Sequence, residues 1–349
     1  MNPAPALIRW YRSHKRDLPW RDTSDPYAIW LSEVILQQTR VDQGLAYYLR
    51  FLERFPDVKS LANAPEQDVL RLWQGLGYYS RARNLLATAR IIRDECDGVF
   101  PHTYDQLLVL RGIGPYTAAA IASFAFGECK AVVDGNVVRV LARFFGIPDA
   151  SDTPAGMKAF RRVADELIPE SNPAEFNQAI MEFGALQCTP RNPSCETCPL
   201  RAGCSACNSG RVSELPARKK RVAVRDLWFY YFVPDNGPST WMRRRVHSGI
   251  WKGLHDFPCI ESDKPIPHSA LRKMAEERLA LALPPGTMKP SAKLDHVLSH
   301  RKIHAVFFET GNVVMGKNRP DEYRQVAWKE VDDIGIPRLI DRYLEGRAM

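Results

Sequence analysis

The chain has 349 residues, more than one hydrophobic core usually supports, so its length predicts two domains. A net charge of +8 and an isoelectric point near 9.1 favour a polyanionic partner, typically nucleic acid. The sequence shows no charged-then-apolar leader and no apolar run long enough to cross a bilayer, so we expect a cytoplasmic protein and neither a secreted nor a membrane one.

The first part of the chain, up to about residue 205, has a helical pattern. Apolar residues recur at three- and four-residue spacing in residues 26–39, 68–95 and 116–127. Strand patterns are scarce in this part. The sequence therefore predicts a mainly α first domain.

Glu33 lies in the first of these segments, "PYAIWLSEVILQQT", which is apolar nearly all round. Asp25 and Pro26 supply a cap and first turn for the helix. A carboxyl group among apolar neighbours loses hydration when it ionises, so its pKa should rise. Glu33 is thus a candidate general acid, and an ordinary, partly exposed glutamate is the alternative.

Two glycines interrupt the helical pattern of "LLVLRGIGPYTAAAIASF", residues 107–124. Gly112 and Gly114 separate two helical segments, and Pro115 suits the first turn of the second. This pattern is typical of a helix-hairpin-helix, in which the backbone comes close to a DNA phosphate and the helix N-terminus attracts the anion. A simple αα turn is the alternative, and no Gly-Lys-Ser/Thr follows that would indicate a nucleotide P-loop.

Asp134 stands before Gly135 in "AVVDGNVVRVLARF", where Asp-Gly marks a turn and the aspartate can cap the next helix. Helix N-terminal N–H groups would keep such a carboxylate ionised even when it is buried. A helix cap and a catalytic anion are both compatible with this position.

Cysteines cluster in the run "CTPRNPSCETCPLRAGC", and Cys207 follows it. In a reducing compartment clustered cysteines more often bind metal than form disulfides. Zinc and a cubane iron-sulfur cluster both take four thiolates, so the chemistry alone leaves both open. The run offers Cys188, Cys195, Cys198 and Cys204 to one site, whereas Cys195 and Cys198 with Cys204 and Cys207 could supply the two short knuckles of a zinc site.

Residues 209–225 are polar, basic and without a clear period, so they are predicted to be a linker. Beyond them, aromatic and β-branched runs bounded by Pro, Asn and Gly alternate with two helical patterns. The second domain is therefore predicted to be α+β.

Five motifs together carry a resemblance to a known family: "SEVILQQT", "GLGYYSRARNL", "RGIGPYTAAAI", "VVDGNVVRV" and the spaced cysteines. In this order they resemble the adenine DNA glycosylases of the MutY type, within the endonuclease III superfamily. The resemblance spans nearly the whole chain. It implies a glycosylase domain over residues 1–208, a linker over 209–225 and a Nudix-like lesion-recognition domain over 226–349.

The resemblance implies excision of adenine from 8-oxoguanine:adenine and guanine:adenine mispairs in double-stranded DNA, by a bacterial, DNA-associated, monomeric enzyme. It assigns a 4Fe-4S cluster to the four cysteines of the run and leaves Cys207 as a bystander, while Arg191 and Arg201 would lie against phosphates. By the same resemblance Glu33 protonates the adenine and Asp134 stabilises the charge on the sugar. Tyr116 and Asn136 then support the flipped nucleotide.

Further positions match DNA-contacting residues of the family. Gln38 and Tyr78 match residues that enter the base stack, and Gly112 and Gly114 match the hairpin. Bifunctional relatives carry a lysine where this chain has Tyr116, and a phenol cannot form a Schiff base. We therefore expect no true lyase activity, with Lys130 the nearest lysine in sequence to Asp134.

In the second domain "LRKMAEER" aligns loosely with a Nudix box, but Lys273 and Leu279 replace a metal-binding glutamate and a glycine. The resemblance thus implies a reader of the opposite base without pyrophosphatase activity. Ser299 and His300 match its lesion-reading loop, in which Leu298 replaces an aromatic residue.

Two other functions remain open at this point: a superfamily glycosylase with a different base preference, and a zinc-dependent DNA-binding protein without enzymatic activity.

Overall fold

The structure is a computed structural model that describes residues 2–218, 224–247, 249–283, 288–298, 300–313, 315–316, 320, 322–331 and 333–347. The chain divides into two compact units. The first comprises Met1–Asn63 and Asn84–Lys220, and the second comprises Ala64–Arg83 and Arg221–Met349.

The first unit is built from α-helices. Local sequence sets their ends, because side chains of Asp25, Thr103, Asp134, Thr153 and Asn172 cap five of them. The helices that precede the linker are α1 (Ala4–His14), α2 (Pro26–Leu36), α3 (Val41–Arg54), α4 (Val58–Asn63), α5 (Glu66–Leu72), α6 (Ser80–Glu95), α7 (Tyr104–Leu108), α8 (Pro115–Phe126), α9 (Gly135–Phe145), α10 (Pro154–Leu167), α11 (Pro173–Leu186) and α12 (Ser205–Asn208). Of these, α5 and the start of α6 belong to the second unit.

The second unit contains two sheets in its described residues. One has the order β4-β1-β6-β5 and the other β3-β2-β7, and only the β1–β6 pairing among the strand pairs described is parallel. The strands are β1 (Arg225–Pro234), β2 (Ser239–Arg244), β3 (His255–Asp256), β4 (Cys259–Ser262), β5 (Ala292–Val297), β6 (Arg301–Gly311) and β7 (Tyr323–Ala327). The helices are α13 (His268–Leu279), α14 (Trp328–Val331) and α15 (Arg338–Arg347).

The larger sheet is covered on both faces. Phe229 and Phe307 pack with α15, whereas Phe232 and Phe308 pack with α13. The α+β prediction for this part of the chain is confirmed, as is the mainly α character of the first part. In the described residues no helix combines the length and the apolar character needed to cross a membrane.

Candidate active site

Glu33 is buried in α2, with 6% of the residue exposed. Asp25 caps this helix through the N–H groups of Tyr27 and Ala28, and Pro26 begins it. Burial raises the pKa of Glu33 to about 7, although the hydrogen bond that it accepts from Tyr116 lowers it; the nearby Asp134 raises it further. The Tyr116 hydroxyl donates to Glu33 Oε2 at 2.5 Å. Glu33 thus holds its proton near neutral pH, as its apolar helix predicted.

Asp134 caps α9 and accepts hydrogen bonds from the backbone N–H groups of Asn136 and Val137, at 2.8 and 2.7 Å. The Asn136 side-chain amide donates to its other oxygen at 2.6 Å. Burial raises the pKa of Asp134, and these hydrogen bonds and the charge of Arg139 oppose the rise. Its ionised state stays a prediction that this hydrogen-bond set supports.

Asn136 is held by Arg139 of the same helix and lies against α11. Arg139 donates to Asn136 Oδ1 at 2.7 Å, and also to the backbone oxygens of Cys188 and Gly184. A Cβ atom at Gly184 would lie 2.7 Å from both the Cβ and the backbone oxygen of Asn136. Glycine at position 184 therefore allows α11 to come close to the first turn of α9.

Two cavities meet at the catalytic groups. The larger, of about 760 Å³, and the smaller, of about 520 Å³, share Glu33, Tyr116 and Asp134 in their linings. The larger also reaches Gln38, and the smaller reaches Asn136. Four residues predicted from the sequence, Glu33, Tyr116, Asp134 and Asn136, are therefore brought together in one place.

The smaller cavity contains a buried ion pair that the sequence reasoning missed. Glu182 on α11, 1% exposed, accepts hydrogen bonds from the guanidinium groups of Arg16 and Arg21 at 2.6 to 3.0 Å. Although burial raises the pKa of Glu182, these hydrogen bonds outweigh it and hold the pKa at about 2. The sequence feature that could have indicated this buried acid is the single charged residue within the apolar helix "AIMEFGAL".

Lys130 lines neither cavity. Its ammonium group stands 4.4 Å from the centre of the Tyr104 ring, and none of the described residues that line either cavity is a lysine.

The remaining predicted DNA-contacting residues lie in different places. Gln38, directly after α2, has a left-handed backbone with φ 58°, and Gly112 has φ 77° in the turn between α7 and α8. At Gly112 a Cβ would lie 2.6 Å from Asn84, so the turn needs glycine for its conformation and its packing. Gly114 forms the N-cap of α8.

Tyr78 and His300 belong to the second unit. Tyr78 is half exposed and also has a left-handed backbone, with φ 48°. His300 is exposed in the turn between β5 and β6, where Leu298 N–H donates to Arg301 O at 2.7 Å and Leu298 packs against the core. Ser299 lies outside the described residues.

The cysteine run forms a cluster of thiols next to α9. All of its cysteines are free thiols, and burial together with the neighbouring thiols raises the pKa of Cys195, Cys198 and Cys204. Yet in the described part of the chain no three metal-binding side chains are close enough to share one ion. Zinc and a cubane cluster each take four thiolates, so the thiols alone leave both open.

Three family models match the chain in order. The HhH-GPD superfamily of base excision DNA repair proteins matches residues 31–166, the iron-sulfur binding domain of endonuclease III matches residues 188–204, and the NUDIX domain matches residues 229–346. The first match confirms the helix-hairpin-helix prediction, and the second favours iron-sulfur over zinc.

Relatives that match most of the chain specify the enzyme. The adenine DNA glycosylase of Buchnera aphidicola subsp. Schizaphis graminum is 31% identical over 344 residues, which cover 97% of this chain and 96% of that protein. The adenine DNA glycosylase of Homo sapiens is 44% identical over 355 residues, covering 85% of this chain and 65% of that protein.

Solved structures resemble the chain over 59% of its length. A thermostable thymine-DNA glycosylase is 31% identical with a TM-score of 0.55 and is covered over 95% of its length. Endonuclease III in a non-covalent DNA complex, 21% identical with a TM-score of 0.52 and covered over 94%, shares the fold. The relatives that span both units favour adenine over other bases as the excised base. They overturn the hypothesis of a zinc-dependent DNA-binding protein without enzymatic activity. The chain belongs to the adenine DNA glycosylases, enzymes of base excision repair that act on DNA, and its cofactor is a 4Fe-4S cluster.

Proposed function

We propose that this enzyme hydrolyses the N-glycosidic bond of adenine paired with 8-oxoguanine, and less efficiently with guanine, without true lyase activity. The pairing of Glu33, whose pKa is about 7, with the hydrogen-bonded carboxylate of Asp134 carries the hydrolytic part of this proposal. The choice of mispair rests on the family resemblance of the second unit. We also propose that the enzyme acts as a monomer on DNA in a bacterial cytoplasm.

The adenine must leave the base stack, because protein groups do not reach its glycosidic bond within the duplex. In the proposed reaction Glu33 donates its proton to a ring nitrogen of adenine. The electron pair of the glycosidic bond then moves to the base, which leaves as neutral adenine. Asp134 stabilises the cationic sugar, as one carboxylate does in glycoside hydrolysis generally. Water adds to the sugar carbon and loses a proton, which completes the hydrolysis.

The smaller cavity is the proposed pocket for the adenine base. Glu182 is ionised there, because its pKa is about 2. Its carboxylate can accept a hydrogen bond from the exocyclic amino group of adenine, whereas it would repel a carbonyl oxygen in the same place. Trp20, which also lines this cavity, offers a ring surface to the base.

The absence of lyase activity is proposed from Tyr116 and from the position of Lys130, which lines neither cavity. Tyr116 occupies the position of the lysine in bifunctional relatives, and its hydroxyl is bound to Glu33. Borohydride should therefore trap little covalent protein–DNA complex. Trapping as efficient as that of a lysine-bearing relative would contradict the proposal.

The second unit is proposed to read the base opposite adenine and to lack pyrophosphatase activity. In α13 Lys273 Nζ lies 3.7 Å from Glu277 Oε1, and Arg272 Nε lies 3.4 Å from Glu276 Oε1. Cations next to these glutamates oppose magnesium binding.

The four cysteines Cys188, Cys195, Cys198 and Cys204 are likewise proposed as the cluster ligands, since the matched iron-sulfur domain begins and ends on the first and last of them.

Ser299 and His300 are the proposed contacts to 8-oxoguanine, whose oxidised ring offers an N7–H donor and a C8 carbonyl. A neutral hydrogen bond is worth about 0.5 to 1.5 kcal/mol, which allows roughly a threefold to tenfold preference per contact. Replacing both by alanine should lower affinity for 8-oxoguanine:adenine toward that for guanine:adenine. Titrations of both duplexes at one salt concentration test this; an unchanged ratio of affinities would mean that the lesion is read elsewhere.

The decisive experiment is excision from a panel of defined duplexes, followed by alkali cleavage of the abasic product. The panel contains 8-oxoguanine:adenine, guanine:adenine, guanine:thymine and an oxidised pyrimidine paired with guanine. Cleavage of the first two, on the adenine strand and only after alkali, is the expected result. Cleavage of the thymine or pyrimidine strand would contradict the proposal.

A further inference from the structure

The wall of the larger cavity away from Glu33 comes from an unexpected part of the chain. Its described lining includes Ser213, Glu214, Leu215, Pro216 and Arg218, which precede the second unit in sequence but belong to the first. We call Ser213–Arg218 the connector wall. The sequence pattern alone predicts only a tether there.

The connector wall is fastened to the helical core. Leu215 is 3% exposed and packs in the same hydrophobic cluster as Leu141 and Phe144 of α9. Its backbone oxygen accepts a hydrogen bond from Arg143 Nε at 3.1 Å, and Ser151 N–H donates to Ala217 O at 3.4 Å. The wall therefore has a defined position beside the catalytic groups.

The charges around this cavity favour an anion on the connector side. Arg139 donates to backbone oxygens and to the Asn136 amide oxygen, and Arg143 donates to backbone oxygens and to Cys188 Sγ. No carboxylate in the described part of the chain lies within salt-bridge distance of either arginine. Arg218 is exposed, lines the cavity and likewise has no carboxylate partner among the described residues. Glu214, the acid on the same wall, is paired with Arg211 at 3.0 Å.

A flipped nucleotide can be placed across the two cavities with its glycosidic bond at Glu33 and Asp134. Glu33 and Asp134 lie where the cavities meet, so a base in the smaller cavity leaves its sugar at Asp134 and its phosphates in the larger cavity. We propose that the connector wall binds the sugar–phosphate backbone of the adenine strand, with the Arg218 guanidinium contacting a phosphate next to the flipped adenosine. This inference rests on the proposed excision of adenine at the Glu33–Asp134 site.

The test is a binding titration of the full, cluster-loaded chain with duplexes in which one phosphate at a time is a neutral methylphosphonate. The adenosine opposite 8-oxoguanine carries a 2′-fluoro group, which resists excision. Wild type should lose roughly threefold to tenfold in affinity when a phosphate adjacent to this adenosine is neutral. Arg218→Ala should bind the normal duplex that much more weakly and lose nothing further at the same position.

Salt dependence gives a second readout. Loss of one phosphate contact lowers the slope of log affinity against log salt by about 0.9. Arg218→Ala should show this decrease, and Arg218→Lys, which keeps the charge, should show little of it. Arg162→Ala is the matched control, because Arg162 is an exposed arginine of α10 that lines neither cavity.

An Arg218→Ala variant that still loses affinity at the adenine-flanking phosphates as wild type does would overturn the inference. So would an unchanged salt slope. Failure of wild type to excise adenine from the unmodified 8-oxoguanine duplex, measured in parallel, would instead contradict the proposed function.

Discussion

Two glutamates that line the same cavity hold their protons very differently. Glu33 on α2 and Glu182 on α11 both lie in apolar helices and are both buried, yet their pKa values are about 7 and about 2. Glu33 accepts one hydrogen bond, from the neutral Tyr116 hydroxyl, whereas Glu182 is bound by the guanidinium groups of Arg16 and Arg21. Burial alone therefore does not set the charge of a carboxyl group in this enzyme; the partner that reaches it does.

The comparison is tested most directly by Glu33→Gln. The amide keeps the shape of the side chain but cannot supply the acid proton, so single-turnover excision should fall by roughly 10²- to 10⁴-fold while lesion-DNA binding is retained. Glu166→Gln, at an exposed position on α10, is the matched control. Excision by Glu33→Gln near the wild-type rate would rule out its role as the acid.

Glu182→Gln should lower the stability of the fold, in addition to weakening the proposed contact with the adenine amino group. It leaves two guanidinium groups without their buried anion, and breaking such a pair typically costs about 3 kcal/mol or more. Because the folded-state pKa of Glu182 is depressed, its contribution is present above about pH 4.5 and is lost as the pH falls toward 2. Thermal unfolding of the full chain at neutral pH should show the loss.

Glu175→Gln on the same helix is the control for this change. Glu175 pairs with an exposed Arg12, and surface pairs contribute at most about 1 kcal/mol. Equal losses from the two variants would mean that the buried pair has no special weight.

The pH dependence of excision should follow the proton on Glu33. The single-turnover rate should be highest below pH 7 and fall about tenfold per unit well above it, because the ionised form cannot act as the acid. Stability should change in the same sense: the folded-state pKa is raised, so the advantage of protonation is complete below about pH 4.5 and is lost as the pH rises through 7. A rate that rises steadily between pH 6 and 9 would contradict this assignment.

Tyr116→Phe should have a smaller effect than the changes at the two glutamates. The tyrosine hydroxyl donates to Glu33 and lowers its pKa, so removing it should move the alkaline limb of the rate profile to higher pH. Rate profiles of wild type and variant measured on one duplex check this. A downward shift would show that the hydroxyl acts on Glu33 in some other way.

The sequence predicted Glu33 because its burial is visible in the apolar pattern of one helix. The same reasoning marks Glu182 as unusual, but Arg16 and Arg21 lie more than 160 positions away, and no local pattern relates them to it. The Asp-Gly dipeptide made it possible to predict that Asp134 caps α9. The contact of Arg139 with Asn136, by contrast, depends on tertiary packing.

The fold likewise has features that the local sequence pattern predicts and features that it does not. Helical period predicted α2, α6 and α8, and β-branched runs predicted an α+β second part. The parallel pairing of β1 with β6 joins strands about 70 residues apart, and the grouping of Ala64–Arg83 with the second unit likewise depends on distant contacts that periodicity does not report.

The close approach at Gly184 bears on how this sequence can diverge. A methyl group at position 184 would meet backbone atoms of Asn136 at 2.7 and 2.9 Å, and backbone cannot rotate away as a side chain can. α11 would have to move, and Glu182 would move with it because it is two residues away on the same helix. A single uncharged substitution would thus disturb both the capping of α9 by Asp134 and the base pocket. During neutral drift position 184 should stay glycine even where the surrounding helix surface changes freely.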